Sequence, residues 1–327
     1  MGQYYTERDA FASPAFAAWY ARATKNLPSD QPILEPFVGA GHIPLSLQAR
    51  GIRRPWHGVD LDPPSAEARV MPGLVIHAGD SLKKMPGGFH LAITNPPYLA
   101  RNWAVRRKLP FPRTAHDDLY KHALDRMLAK VPYVAAIVPG SFIASGLFRD
   151  RLTAVISLRE DLFKDTQCPV CLALFEPLQA QPKVDDFEVW DGGTRLGWHG
   201  DFDRHLVSAT RTRPWRFNDP HGPIALFGVD NLVGPTIRFA PGPEVPPADI
   251  KHSSRVISRI AVSSSWRKAE VTELIAHANR RLTLWREETH DILLAPFRGL
   301  RQDGHWRRRL DFATARRLLD LAAEDLS

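Results

Sequence analysis

At 327 residues the chain has room for about two domains of roughly 150 residues each. A composition of 44% hydrophobic and 24% charged residues excludes wholesale disorder and fibrous repeats. The most apolar stretch, 131–148, is broken by Pro132, Pro139 and Gly140, which excludes a membrane-spanning helix there. Glu7, Arg8 and Asp9 stand where an export signal needs its apolar centre, so a cytoplasmic protein without a membrane partner is expected. The 43 basic and 36 acidic residues leave +7, a lean toward a polyanionic partner.

In chain order, Ser13-Pro14 opens a helix, Ser as N-cap and Pro at the first helical position. Apolar runs then predict strands over 32–37, 56–60, 74–77, 89–94, 133–138, 154–158 and 170–175. Helices are expected between them over 43–50, 65–69, 118–130 and 142–151. Such alternation is the pattern of an α/β fold, a Rossmann-like, mostly parallel sheet of seven strands with helices on both faces. This larger domain is assigned to 1–177, and 178–190 reads as a linker. From 191 to 327 the chain is rich in Arg, Trp, Gly and Pro, with strand-like runs at 224–229 and 236–239 and a proline-rich turn at 241–247. It is expected to form a smaller, irregular α+β domain. Its last segment, from Arg307, reads as an amphipathic helix packing through Leu310, Leu318, Leu319 and Leu321. Cys168 and Cys171 have the spacing of a redox pair or half a zinc site, but a zinc ribbon needs a second pair. They are read as small strand hydrophobes, and no metal is expected.

Three patterns carry chemistry. Glu35-Pro36-Phe37-Val38-Gly39-Ala40-Gly41 ends the first strand and starts a helix, where glycines let backbone approach a ligand closely. Asp60, followed by Leu61, ends the next strand 21 residues after Gly39, where a carboxylate can accept both hydroxyl protons of a ribose. With no third glycine at the dinucleotide spacing and no phosphate cradle, the ligand is a nucleoside without a pyrophosphate, a description that fits S-adenosyl-L-methionine. Asp80, ahead of Ser81, follows the third strand and can accept from an adenine amino group.

Asn95-Pro96-Pro97-Tyr98 comes directly after the apolar strand 89–94. Consecutive prolines fix φ and hold a stiff extended tip at the carboxyl edge of the sheet. An exocyclic purine amine is a poor nucleophile because its lone pair is delocalised into the ring. If the Asn95 side-chain oxygen and the Pro96 carbonyl each accept one of its hydrogens, the nitrogen moves toward tetrahedral geometry and can attack a sulfonium methyl. Tyr98 offers a flat face for a base swung out of a duplex.

Residues 1–177 resemble the γ-class DNA adenine-N6 methyltransferases, in which cofactor motifs precede the catalytic tetrapeptide and a target-recognition domain follows. The resemblance implies S-adenosyl-L-methionine as cofactor and double-stranded DNA as partner; a separately encoded restriction endonuclease as genetic partner and a solitary or phage-borne modification enzyme are both compatible with it. It assigns the cofactor's methionine part to Tyr4 and Thr6, the first motif to Glu35, Phe37, Gly39 and Gly41, the ribose to Asp60 and Leu61, and the adenine to Asp80 and Ser81. It assigns catalysis to Asn95, Pro96, Pro97 and Tyr98, a pocket-lining helix to Asp118-Leu119-Tyr120, and stacking on the extruded base to Phe163. Ser81 departs from the family, which frequently has an aromatic or bulky apolar residue there.

For the nucleic acid, Arg101, Arg106, Arg107, Lys108 and Arg113 follow the tip with no acid between Leu99 and His116. Further candidates are Arg211 and Arg213, and Lys251, Arg255, Arg259, Arg267 and Lys268 with serines interleaved. The rival readings are amine methylation of RNA adenine, cytosine N4 or a protein glutamine, and a catalytically inactive nucleic-acid-binding module.

Overall fold

The computed structural model describes residues 10–63, 71–158, 169–178, 186–206, 211–262 and 266–326. They fall into two compact units, Met1–Arg195 and Leu196–Ser327.

The first unit opens with α1 (Pro14–Thr24), where Ser13 Oγ accepts from Ala15 N at 3.3 Å. One face of α1 buries Phe16 and Trp19, and the Trp19 indole donates to Phe175 O at 3.1 Å, so its polar edge is satisfied inside the core. The seven expected strands all form: β1 (Ile33–Glu35), β2 (Trp56–Asp60), β3 (Leu74–Ala78), β4 (Leu91–Thr94), β5 (Tyr133–Pro139), β6 (Leu152–Ser157) and β7 (Val170–Phe175). Alongside them run α2 (His42–Ala49), α3 (Arg101–Arg106) and α4 (Leu119–Leu128). Two more strands, β8 (Glu188–Asp191) and β9 (Thr194–Trp198), complete a nine-stranded sheet of order β3-β2-β1-β4-β5-β7-β6-β8-β9.

The sheet is mostly parallel, and β7 alone of the seven expected strands runs antiparallel to its neighbours, β5 and β6. β4 and β7 are buried at every position, which explains their unbroken apolar sequences. Cys171 is one such residue, buried in β7, while Cys168 lies outside the described residues. The first unit extends beyond 177 because β8 pairs in parallel with β6, Val155 opposite Val189. The helix expected over 142–151 is a 3-10 turn, Gly140–Ser145, closed by Gly146 at φ +68°. The helix expected over 65–69 lies outside the described residues.

The second unit contains α5 (His199–Phe202), β10 (Arg216–Phe217), β11 (Ile224–Phe227), β12 (Arg238–Pro241), β13 (Ile257–Ala261), α6 (Lys268–Thr289), β14 (Ala295–Leu300), β15 (Trp306–Arg309) and α7 (Phe312–Glu324). An antiparallel sheet, β10-β13-β11-β12, shares one core with the two long helices. Arg307, Arg308 and Arg309 lie on β15, and the amphipathic helix starts after them at Phe312, capped by Asp311 accepting from Thr314 N. Among the described residues no helix is long and apolar enough to cross a membrane.

Candidate active site

In the sheet order of the first unit, β1 lies between β2 and β4, and the strand order reverses there. In an open α/β sheet the crevice beyond the carboxyl ends at such a reversal is where ligands bind. The loops after β1, β2, β3 and β4 carry most of the expected site residues, and hydrogen bonds tie them together.

After β1 the chain turns through Gly39 at φ +49° and Gly41 at φ +80°, the left-handed region that glycine enters without steric cost, and Gly41 caps α2. Gly39 N donates to Asp60 Oδ2 at 2.9 Å, and Asp62 N donates to Asp60 Oδ1 at 2.9 Å. The 21-residue spacing is therefore a physical clasp between the ends of β1 and β2. Each Asp60 oxygen keeps a second lone pair, so the clasp leaves acceptors for two hydroxyls. Leu61 beside it is exposed, and Phe37 is half-buried. Gly79 N donates to Asp60 O at 2.8 Å and draws the loop after β3 into the same group. In that loop Asp80 is engaged locally: Oδ1 accepts from Leu82 N and Lys83 N, and Oδ2 faces the Lys83 ammonium at 3.2 Å.

Glu35, at the end of β1, is fully buried, and its Oε1 accepts from Thr94 Oγ1 at 2.6 Å. That bond joins the glycine bend to the residue before Asn95. Burial pushes the Glu35 carboxyl up to about 8, against partial relief from the Thr94 hydroxyl and the Phe37 and Asn95 N–H groups. Its Oε2 has no hydrogen-bond partner, and neither has the buried Ser81 Oγ. These two unsatisfied buried polar atoms, one at the end of β1 and one in the loop after β3, fit a polar ligand at this edge of the sheet.

Asn95 and Tyr98 are half-buried, and Pro96 is buried. Tyr98 is held at its hydroxyl end. Its hydroxyl lies 2.6 Å from Asn95 Oδ1 and 2.8 Å from Ile137 O, and its ring meets Tyr120 edge-on, centroids 6.1 Å apart at 88°. One phenolic proton cannot fully serve two acceptors. If the Asn95 amide is turned over, Nδ2 donates to Tyr98 Oη, Oη donates to Ile137 O, and Oδ1 is released to face a ligand. Tyr120 is buried between Tyr98 and Phe142, and burial raises its phenol.

Beyond Tyr98 the chain leaves the sheet and returns at a bridge between Ala100 and Asp118. Asp118 Oδ1 accepts from Leu99 N at 3.0 Å and caps α4, while Arg101 N donates to Asp117 O at 2.7 Å. Of the basic residues on this excursion, Arg101 donates to the carbonyls of Thr114 and His116, and Arg107 lies over the Trp103 ring at 3.8 Å. Arg106, Lys108 and Arg113 are exposed. Trp103 belongs to no motif, and its only signal in the sequence is an aromatic inside an acid-free run.

No family model matches the chain, and no curated protein matches it. Solved structures with a similar fold include a class I S-adenosylmethionine-dependent methyltransferase of Listeria monocytogenes, 16% identical over 58% of this chain and 68% of that one, with a TM-score of 0.41. Another is the methyltransferase subunit of a type I restriction-modification system from Streptococcus thermophilus, 17% identical over 57% of this chain and 48% of that one, TM-score 0.40. A third is an rRNA methylase from Streptococcus thermophilus, 13% identical over 50% of this chain and 96% of that one, TM-score 0.32. The chain thus spans about half the length of the restriction-modification subunit. Similarity at this level assigns no substrate.

The second unit sorts its basic candidates differently. Arg259 is corrected: it is buried, with Nε donating to Gly222 O at 2.8 Å, and supports the β13 core rather than a phosphate. Arg213 is turned onto α7, its N–H donating to Asp320 Oδ1 at 2.9 Å and its guanidinium reaching Asp320 O and Ala323 O. Arg211 N donates to Glu324, and Arg267 forks onto Glu270 at 2.6 and 2.9 Å. Lys251, Arg255 and Lys268 are exposed. Tyr4, Thr6 and Phe163 lie outside the described residues, and among those described no three His, Cys, Asp or Glu are grouped to hold a metal ion.

Proposed function

We propose that the chain transfers the methyl group of S-adenosylmethionine to the exocyclic N6 amine of an adenine swung out of duplex DNA. The observation that carries this reading is the Thr94–Glu35 hydrogen bond, which ties the stiff Asn95-Pro96-Pro97-Tyr98 tip to the glycine bend at the reversal point of the sheet. S-adenosylmethionine, when bound, supplies an electrophilic methyl group on a sulfonium. Asp60, Phe37 and the Gly39–Gly41 bend hold its nucleoside, and the orphaned Glu35 Oε2 and Ser81 Oγ are polar partners for it. Asn95 Oδ1 and Pro96 O take the two hydrogens of the target amine, which localises the nitrogen lone pair; the proton displaced on alkylation leaves to water. The Tyr98 hydroxyl holds the Asn95 amide with its oxygen outward, a positioning role.

Asn95→Ala tests the assignment. Transfer to duplex DNA is expected to fall by at least about 10³-fold, about 4 kcal/mol of transition-state stabilisation, with S-adenosylmethionine affinity within a few-fold of wild type. Retained turnover would remove Asn95 from the chemistry. Substrate class is read by offering methyl-labelled cofactor with separate DNA, RNA and protein pools, then sequencing the labelled nucleic acid by a modification-sensitive method. Label in RNA or protein would replace DNA as the substrate.

A further inference from the structure

The excursion between Ala100 and Asp118 is an arm with a pinned base. Leu99 N and Arg101 N donate to Asp118 and Asp117, Leu119 N donates to Leu99 O, and Arg101 is bonded across the arm to His116 O at 2.6 Å. Ala104 is buried and anchors α3, yet Trp103 on the same helix is 45% exposed, Val105 70% and Leu109 39%. Trp103 and Val105 on α3 and Leu109 just beyond it thus turn apolar surface to water within seven residues of one another. Two rings on the arm are covered by guanidinium groups: Arg107 lies 3.8 Å from the Trp103 centroid and Arg101 lies 5.3 Å from that of Phe111. A cation on one face of an indole fixes the ring and leaves the opposite face for another flat partner. Arg106, Lys108 and Arg113 add exposed positive charge, and the run from Leu99 to His116 contains no acid. A partner that is at once flat, aromatic and polyanionic is a nucleic acid with an unpaired base.

We propose that this arm is a base-stacking finger: Trp103, backed by Arg107, takes a nucleobase of DNA opened beside the target, while Arg106, Lys108 and Arg113 hold the flanking phosphates. The proposal deepens the methyl-transfer reading and rests on it for the choice of DNA.

The full-length protein is titrated with single-stranded oligothymidine and with an abasic phosphodiester of the same length. Wild type is expected to prefer the base-bearing strand about tenfold, in line with the worth of one base–aromatic stack. Trp103→Ala should abolish that preference by weakening oligothymidine alone, Trp103→Phe should keep most of it, and Lys108→Ala should weaken both strands equally. A Trp103→Ala protein that still discriminates as wild type does, or competition by polyglutamate as strong as by oligothymidine, would overturn the proposal. Loss of discrimination in Trp103→Ala with no label in DNA would leave the finger standing and sink methyl transfer to DNA. Labelled DNA with discrimination independent of Trp103 would do the reverse.

Discussion

In the second unit Arg286 and Arg301 converge on Asp230, which has no exposed surface, and on Asp291: Arg286 reaches Asp230 at 2.9 and 3.0 Å and Asp291 at 2.6 and 2.9 Å, and Arg301 reaches each acid at 3.1 Å. Thr236 N, Ile237 N and Arg308 N also donate to Asp230. In the first unit the arm holds Arg106, Lys108 and Arg113 in water, and the tip beside it rests on one amide and one phenol. Buried charges must be paired and fully hydrogen-bonded, so the network fixes a shape and has nothing left to offer a ligand. Exposed cations contribute little to stability and stay available. Basic residues are thus sorted by direction, a property that net charge does not record.

The largest expected effect lies in the network. Asp230→Ala leaves two buried guanidinium groups short of a partner and is expected to cost about 3–5 kcal/mol, measured as a lower urea midpoint. A loss below about 1 kcal/mol would make the network no more structural than a surface pair.

Next is the buried acid at the end of β1. Below about 4.5 Glu35 is protonated whether the chain is folded or not; between there and about 8 the folded state keeps the proton and the unfolded state gives it up. Stability should therefore fall by about 1.4 kcal/mol per pH unit across that window and level off above it. Glu35→Gln keeps an acceptor for Thr94 and removes the titration. The difference in urea midpoint between variant and wild type should grow from pH 5 to pH 8, and parallel profiles would show that the carboxyl is not held neutral.

Tyr98→Phe comes third. It keeps the ring against Tyr120 and removes the bonds to Asn95 and Ile137. The expected cost is about tenfold in kcat, about 1.4 kcal/mol, with KM little changed. An unchanged kcat would return Tyr98 to stacking alone.

The sequence was most legible where apolar runs meet glycine and proline. The strands and the order of the tip, bend and Asp60 could be read because runs such as β4 and β7, buried at every position, are continuous in apolar residues and the strand ends are punctuated by glycine and proline. The β8–β9 extension was not legible. Glu188-Val189-Trp190-Asp191 holds only two apolar residues in a row after a change in composition at Pro177, and its pairing with β6, some 34 residues away in Ala154↔Glu188, places it in the sheet. α6 escaped although Val271, Leu274, Ile275, Ala278, Leu282 and Trp285 repeat at helical spacing, because its charged face resembles the basic run before it. Arg259 was misread for a related reason: β13 is buried at every position after Ile257, so an arginine in it is enclosed whatever its charge.

The smallest effects are those of the exposed arginines. If basic residues are sorted by direction, Arg106→Ala and Arg113→Ala should leave the melting temperature unchanged and each lower the slope of log K against log salt for DNA by about 0.9, one phosphate contact apiece. Arg259→Ala should do the opposite, because Gly222 O and Val245 O lose their buried donor while no phosphate contact is lost. Measuring slope and melting temperature on the same three proteins separates the two roles. A reduced slope in Arg259→Ala at unchanged stability would mean that the buried guanidinium turns outward to the nucleic acid, and direction in the free protein would no longer predict contact.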